Sequence, residues 1–243
     1  MRTEILGIGI DVLNRKQALG KALGFIKRNE RECKIVITPN PEVVMLAKKD
    51  PELAEIIDKA DMVIPDGVGV VWASKYSKHR LEENVPGCDL CYSLLEAAAG
   101  DGYRAYILGA KPGVAEQAKT NMEKKYPGLN ICGVHDGYFN AGNEQKIIDE
   151  INAFKPDILL AGLGVPRQEK WLHEHKGNLN VNIAVACGGS IDVMAGTVKR
   201  APLVFQKLGL EWFYRLISQP SRFFRMLELP KFVFAVLLNK GKK

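Results

Sequence analysis

The stretch I-L-L-A-G-L-G-V-P-R-Q-E-K-W, residues 158–171, carries three structural signals in succession. The short apolar run 158–162 reads as a strand. Gly162 and Gly164 let the backbone turn tightly and approach a ligand closely, and Pro166 suits the start of a helix. An amphipathic pattern then continues to residue 175. Strand, glycine turn and helix in that order are the repeating unit of a parallel α/β sheet, whose ligands bind at the C-terminal strand ends.

The same alternation fills the chain on both sides. Strands are predicted at 5–12, 34–38, 62–64, 105–108, 130–134 and 182–186, and helices at 15–28, 41–47, 51–58, 68–77, 89–99, 113–125, 144–154 and 166–175. The fold class is therefore α/β, a Rossmann-like, mainly parallel sheet flanked by helices. The chain's 243 residues, 47% of them hydrophobic, suffice to bury a substantial core. No internal repeat or low-complexity linker interrupts it.

Composition changes at Lys199-Arg200-Ala201-Pro202. From Arg200 to the end there are nine Lys or Arg against Glu211 and Glu228, a net of +7; the whole chain is +6, so residues 1–199 carry −1. That segment also holds 8 of the 19 aromatic residues. A cationic, aromatic, leucine-rich segment suits an anionic membrane surface better than a solvated nucleic-acid groove, so no nucleic-acid partner is expected. The organisation expected is a catalytic unit over 1–199 and a helical, membrane-associating appendage over 200–243. Pro220 and Pro230 are expected to divide the appendage into short helices. Leu208, Leu210 and Leu216 can fold over a site, contact lipid or pair two copies in a homo-oligomer.

The longest apolar run, 232–238, is far short of the roughly 20 residues that span a bilayer. The N-terminus lacks a signal-peptide pattern, which points to a cytoplasmic protein held peripherally at the membrane. Five cysteines are then expected as free thiols. Cys88 and Cys91 form C-x-x-C without a second ligand pair and read as small helix residues, and His173 and His175 read as a solvated helix end.

Three strand ends point to a nucleotide site. In the first, Leu108-Gly109 leads through Lys111 into a helix after Gly113, where backbone N–H groups and the helix dipole suit a phosphate. The second is the opening stretch, in which Gln168 offers an amide to a base or sugar. The third is Cys187-Gly188-Gly189-Ser190-Ile191-Asp192, with Asp192 able to accept from a ribose hydroxyl or base N–H. Neither G-x-G-x-x-G after the first strand nor G-x-x-x-x-G-K-[ST] occurs, which removes the best signatures of dinucleotide and P-loop sites. A D-x-D pair for a divalent cation is also missing, so protein cations would have to stabilise a departing diphosphate. Asp66, after the short strand at 62–64, reads either as a general base in the cleft or as the N-cap of the next helix. Asn40 before Pro41 reads first as an N-cap.

I-T-P-N-P-E (37–42), A-D-M-V-I-P-D-G-V-G-V-V-W (60–72), V-P-G-C-D-L (85–90), G-L-G-V-P-R-Q-E-K-W (162–171), G-G-S-I-D-V-M-A-G-T-V-K-R-A-P (188–202) and L-G-L-E-W-F-Y-R-L (208–216) resemble the WecG/TagA/CpsF glycosyltransferases, in order and nearly end to end. The resemblance is strongest to members that act in wall teichoic acid linkage-unit synthesis. It implies inverting transfer of N-acetylmannosamine from a UDP-sugar donor to the C4 hydroxyl of undecaprenyl-diphosphate-linked GlcNAc, with no metal and no other cofactor. A related donor such as UDP-N-acetylmannosaminuronic acid stays open. By the same resemblance Asp66 is the base, with Thr38 and Asn40 beside it. Tyr138, Gln168 and Asp192, with the turns at Gly109, Gly162 and Gly164, hold UDP, and Arg215, Arg222 and Arg225 close over the diphosphate. The chain departs from the family pattern at Asn84, where members often have arginine; Arg80 is the candidate to replace it.

Overall fold

The computed structural model describes residues 1–28, 31–218 and 226–239, apart from the side chains of Ala141, Lys207 and Arg215. Chain order is β1 (Arg2–Ile5), β2 (Ile8–Asp11), α1 (Arg15–Ile26), β3 (Lys34–Ile37), α2 (Pro41–Ala47), α3 (Pro51–Lys59), β4 (Met62–Val63) and α4 (Val68–Ala73). It continues with α5 (Gly87–Asp101), β5 (Arg104–Gly109), α6 (Val114–Lys125), β6 (Asn130–His135), α7 (Glu144–Phe154), β7 (Ile158–Gly162), α8 (Arg167–His175), β8 (Ile183–Ala186) and α9 (Ser190–Ala195). The C-terminal segment forms α10 (Leu203–Lys207), α11 (Glu211–Ser218) and α12 (Glu228–Asn239).

Six strands make one parallel sheet in the order β4-β3-β8-β7-β5-β6. Both faces are covered, which is why its central strands read as unbroken apolar runs. Alternate residues feed two separate cores. Ile35, Ile37, Tyr106, Leu108, Leu159, Ala161, Ala184 and Ala186 enter one with residues of α2, α3, α7 and α8. Val36, Ala105, Ile107, Ile158, Leu160, Ile183 and Val185 enter the other with residues of α1, α5, α6 and α9. The loops after β5 and β7 leave these neighbouring strands in opposite directions, opening a crevice between them at the C-terminal edge.

The predicted strand 5–12 is instead a hairpin, β1 pairing antiparallel with β2 in a separate two-stranded sheet. Leu6 and Gly7 both have positive φ, 53° and 89°, so the two-residue loop folds back between Ile5 and Ile8. The hairpin braces the sheet, because the Asp11 carboxylate accepts from the Val63 N–H at 2.9 Å and so satisfies edge strand β4. The predicted helix 68–77 ends as α4 and passes into a 3-10 turn, Ser74–Tyr76. Pro230 stands in the first turn of α12, where a missing N–H costs no intrahelical bond, so a helix starts at this proline as expected; Pro220 lies outside the described residues. α12 packs on α2 and α4, and its Phe232, Ala235 and Val236 belong to the first core.

Candidate active site

The C-terminal ends of the sheet strands converge on a cleft of about 610 Å³. One wall comes from β3 and β4. Thr38, the residue after β3, donates its hydroxyl to the Ala186 carbonyl at 3.2 Å, tying the end of β3 to β8. Asn40 caps α2 by accepting from the Val43 N–H at 3.0 Å, and Pro41 follows at the position where a proline costs nothing. Both Thr38 and Asn40 line the cleft.

Asp66 lines it too, and the structure decides one of its two sequence readings. The N-cap of α4 is Gly67, with φ 97° and no side-chain cap, so Asp66 does not cap that helix. Its Oδ2 accepts instead from the Gly87 N–H at 3.2 Å, at the first residue of the 15-residue α5. A helix N-terminus favours negative charge, and this contact holds the carboxylate in the cleft lining. Gly87 sits close enough to Thr38 that a Cβ would approach its Oγ1 to 2.9 Å, so the two positions pack as one unit. Asn84 contributes to the same wall: its Oδ1 accepts from the Gly67 N–H at 2.6 Å and fixes the turn after Asp66. The cation bonded to Asn84 is Arg15, whose Nε donates to its carbonyl at 3.1 Å.

The opposite wall is made by glycine turns. Gly109 and Gly162 are register partners, and a Cβ on Gly109 would run into the Gly162 backbone. A Cβ on Gly162 would lie 2.7 Å from the Gly188 carbonyl oxygen and 2.6 Å from Ile191. These glycines let the turns after β5, β7 and β8 close on one another. Gly162 and Gly164 face the cleft, whereas Gly109 lies behind Ala110 and Lys111, which do.

Gln168 is only 2% exposed and both ends of its amide are engaged. Its Oε1 accepts from the Gly188 N–H at 3.1 Å, and its Nε2 donates to Glu169 Oε1 at 2.8 Å. One amide hydrogen and one lone pair remain for a ligand. Asp192 and Tyr138 complete the rim, Asp192 in the first turn of α9 and Tyr138 68% exposed.

Sequence reasoning missed several residues that shape the site. Arg167 donates to the Gly137 and Phe139 carbonyls at 2.7 and 2.9 Å and stacks 4.4 Å above the Phe139 ring, so it holds the loop carrying Tyr138. Glu169 is buried, and that burial pushes its carboxyl up to about 7 from an ordinary 4.5. His175 is not a solvated helix end: it is 9% exposed, with its ring 5.0 Å from that of Trp171 and its Nε2 3.4 Å from Glu144. Glu169 and His175 face inward for reasons of tertiary packing that a single polar helix pattern does not carry.

The C-terminal segment roofs the cleft through Gln206, Gly209, Glu211, Trp212, Met226 and Leu229. Arg215 stands on α11, its side chain outside the described residues; Arg222 and Arg225 also lie outside them. Among the described residues no helix is long and apolar enough to cross a membrane. Cys88 and Cys91 are buried residues of α5.

Comparison with known proteins gives a consistent result. The profile of the glycosyl transferase WecG/TagA/CpsF family matches residues 3–243. An N-acetylglucosaminyldiphosphoundecaprenol N-acetyl-beta-D-mannosaminyltransferase of Bacillus spizizenii is 38% identical over 205 residues, which are 84% of this chain and 79% of that protein. A protein of the same name from Staphylococcus aureus is 32% identical over 241 residues, covering 99% of this chain and 94% of its own length.

Proposed function

The chain belongs to the WecG/TagA/CpsF glycosyltransferase family, and from that membership we propose that it transfers N-acetylmannosamine from UDP to the C4 hydroxyl of GlcNAc on diphosphoundecaprenol, in wall teichoic acid linkage-unit synthesis. The names of its relatives support the sugar and the lipid-linked acceptor. The observation that carries the mechanism is the position of Asp66, a carboxylate oriented by a helix N-terminus in a cleft whose far wall is built from glycine turns.

Transfer with inversion is a single displacement. Asp66 takes the proton of the acceptor hydroxyl as its oxygen bonds to the anomeric carbon, and the bond from that carbon to UDP breaks. Thr38 and Asn40 border the sugar, while Tyr138, the Gln168 amide and Asp192 hold the nucleotide with the turns at Gly109, Gly162 and Gly164. The leaving diphosphate gains negative charge, which Lys111 at the cleft and Arg215, Arg222 and Arg225 of the C-terminal segment offset. The reaction needs no metal in this reading, because cationic side chains take that role. In this reading the exposed apolar side chains of α11 and α12 meet the inner face of the membrane, which is supported by Ile217, Phe234 and Leu238 being 63%, 68% and 77% exposed.

The test is UDP release from UDP-N-acetylmannosamine with a lipid-diphosphate-linked GlcNAc acceptor and EDTA present. Acceptor-dependent release is expected. Asp66→Asn should lower kcat by about 10²- to 10⁴-fold while UDP affinity stays near that of the unmodified protein. Near-normal turnover of Asp66→Asn would show that the carboxylate only braces Gly87.

A further inference from the structure

A second concavity, about 880 Å³, runs down the α1, α5, α6 and α9 side of the molecule. Arg15, Lys125, Lys199 and Arg200 line it against a single carboxylate, Asp89, leaving a net of three positive charges on the lining. Asp89 is already paired with both arginines, Arg15 Nη1 at 3.2 Å and Arg200 Nη2. Arg200 Nε is buried and has no acceptor among the described residues, so this guanidinium retains an unmet donor after Asp89 is bound. Lys125 stands 4.1 Å above the Tyr92 ring. Between the cations the surface is apolar, with Leu19, Leu90, Val198 and Tyr214.

This groove adjoins the cleft. Val193 lines both. The start of α5 is their common partition, with Pro86 and Cys88 facing the cleft and Val85, Asp89 and Leu90 facing the groove. α11 overlies the junction, presenting Trp212 to the cleft and Tyr214 to the groove. A molecule reaching from one to the other would therefore have its head group at Asp66 and its continuation among cations interleaved with apolar side chains. That sequence of surfaces matches an amphiphile with a phosphate group between a sugar and a hydrocarbon chain.

We propose that the groove binds the prenyl-diphosphate end of the lipid-linked acceptor, Lys125, Lys199 and Arg200 meeting the diphosphate and Leu19, Leu90 and Tyr214 the first prenyl units. This assignment rests on the acceptor class proposed above and adds a second ligand-binding region outside the cleft. It separates the two diphosphates of the reaction: the donor's lies in the cleft, and the acceptor's lies in the groove.

Titration calorimetry of the full chain tests it with farnesyl diphosphate and inorganic diphosphate, each with UDP saturating the cleft. Farnesyl diphosphate should bind the UDP-loaded protein about tenfold more tightly than inorganic diphosphate, through its apolar chain. K125E/K199E, which alters two exposed lysines, should weaken farnesyl diphosphate about tenfold or more and leave UDP affinity within about twofold. The milder K125Q/K199Q, with a smaller loss in the same direction, checks that charge rather than misfolding is responsible. Displacement of farnesyl diphosphate by UDP, indifference to both double variants, or equal affinity for inorganic diphosphate would each overturn the assignment. Failure to bind UDP at all would count against the donor reading instead, and the prenyl-diphosphate titration could then be read without it.

Discussion

The sheet body and the C-terminal segment bury their apolar residues by different means. In the body, each central strand sends alternate side chains into two cores, so Ile158, Leu159, Leu160 and Ala161 are all fully buried within one strand. In the segment, burial is divided within single helices. Phe232 of α12 is 1% exposed against α2 and α4, while Phe234, two residues on, is 68% exposed. The body's sheet is covered on both faces, one of them partly by Phe232, Ala235 and Val236 of α12, whereas the segment leaves apolar side chains such as Ile217, Phe234 and Leu238 outward. The cleft lies where the two regions join, with Thr38, Asp66 and Gln168 on the body and Gln206, Glu211 and Trp212 on the segment that roofs it.

The strongest way to break this comparison is to remove the segment. Truncation after Lys199 takes away Trp212 and Met226 from the roof and Phe232 and Val236 from the first core. Transfer should fall by more than about 10²-fold, because the reacting groups lose their enclosure. Association with anionic vesicles should be lost with it. A soluble truncated protein with full activity would show that the body alone is the enzyme. Within α12 the contrast is sharper still. Phe232→Ala should cost about 3–5 kcal/mol in urea unfolding, and Phe234→Ala less than about 0.5 kcal/mol while weakening vesicle binding. Equal losses from the two would refute a divided helix.

A third test stays inside the body. Glu169 has its carboxyl raised to about 7 by burial, so the folded protein holds a proton there that the unfolded chain releases near 4.5. Stability from this group is fully present below about pH 4.5 and declines as pH rises to about 7, by about 3 kcal/mol, then levels off. Glu169→Gln keeps an acceptor for Gln168 Nε2 but cannot ionise, so its unfolding midpoint should lack that decline. Urea midpoints from pH 5 to 8 check this; parallel slopes for the two proteins would show that Glu169 does not titrate in that range.

How much of this was legible in the sequence follows from the range of the interactions. The sheet strands and their glycine turns are local patterns, and 41–47, 144–154 and 158–162 coincide with α2, α7 and β7. The hairpin was not legible, because it depends on a leucine adopting positive φ at Leu6, which leucine rarely does. α9 was hidden within the glycine turn that precedes it. Thr38, Asn40, Asp66, Gln168 and Asp192, which strand ends and family resemblance single out, all line one cleft. The supporting contacts were not visible, since Arg167 reaches back across 30 residues to the Gly137 carbonyl and Asp66 forward across 21 to Gly87. No pattern within a single element encodes partners at that separation.

The smallest predicted effect tells anchoring apart from substrate contact at Thr38. Its hydroxyl ties the end of β3 to β8 through the Ala186 carbonyl, a hydrogen bond with a net worth of about 1 kcal/mol. Thr38→Val keeps the shape that packs against Gly87 and removes only that donor. Urea unfolding should register the loss of about 1 kcal/mol, with donor KM within about twofold if the hydroxyl serves the sheet alone. A rise in KM well beyond that, at unchanged stability, would instead assign the hydroxyl to the sugar. Because Thr38 belongs to the body, vesicle binding should be unaltered in either case, in contrast to Phe234→Ala, so one pair of variants separates the two regions by what each leaves intact.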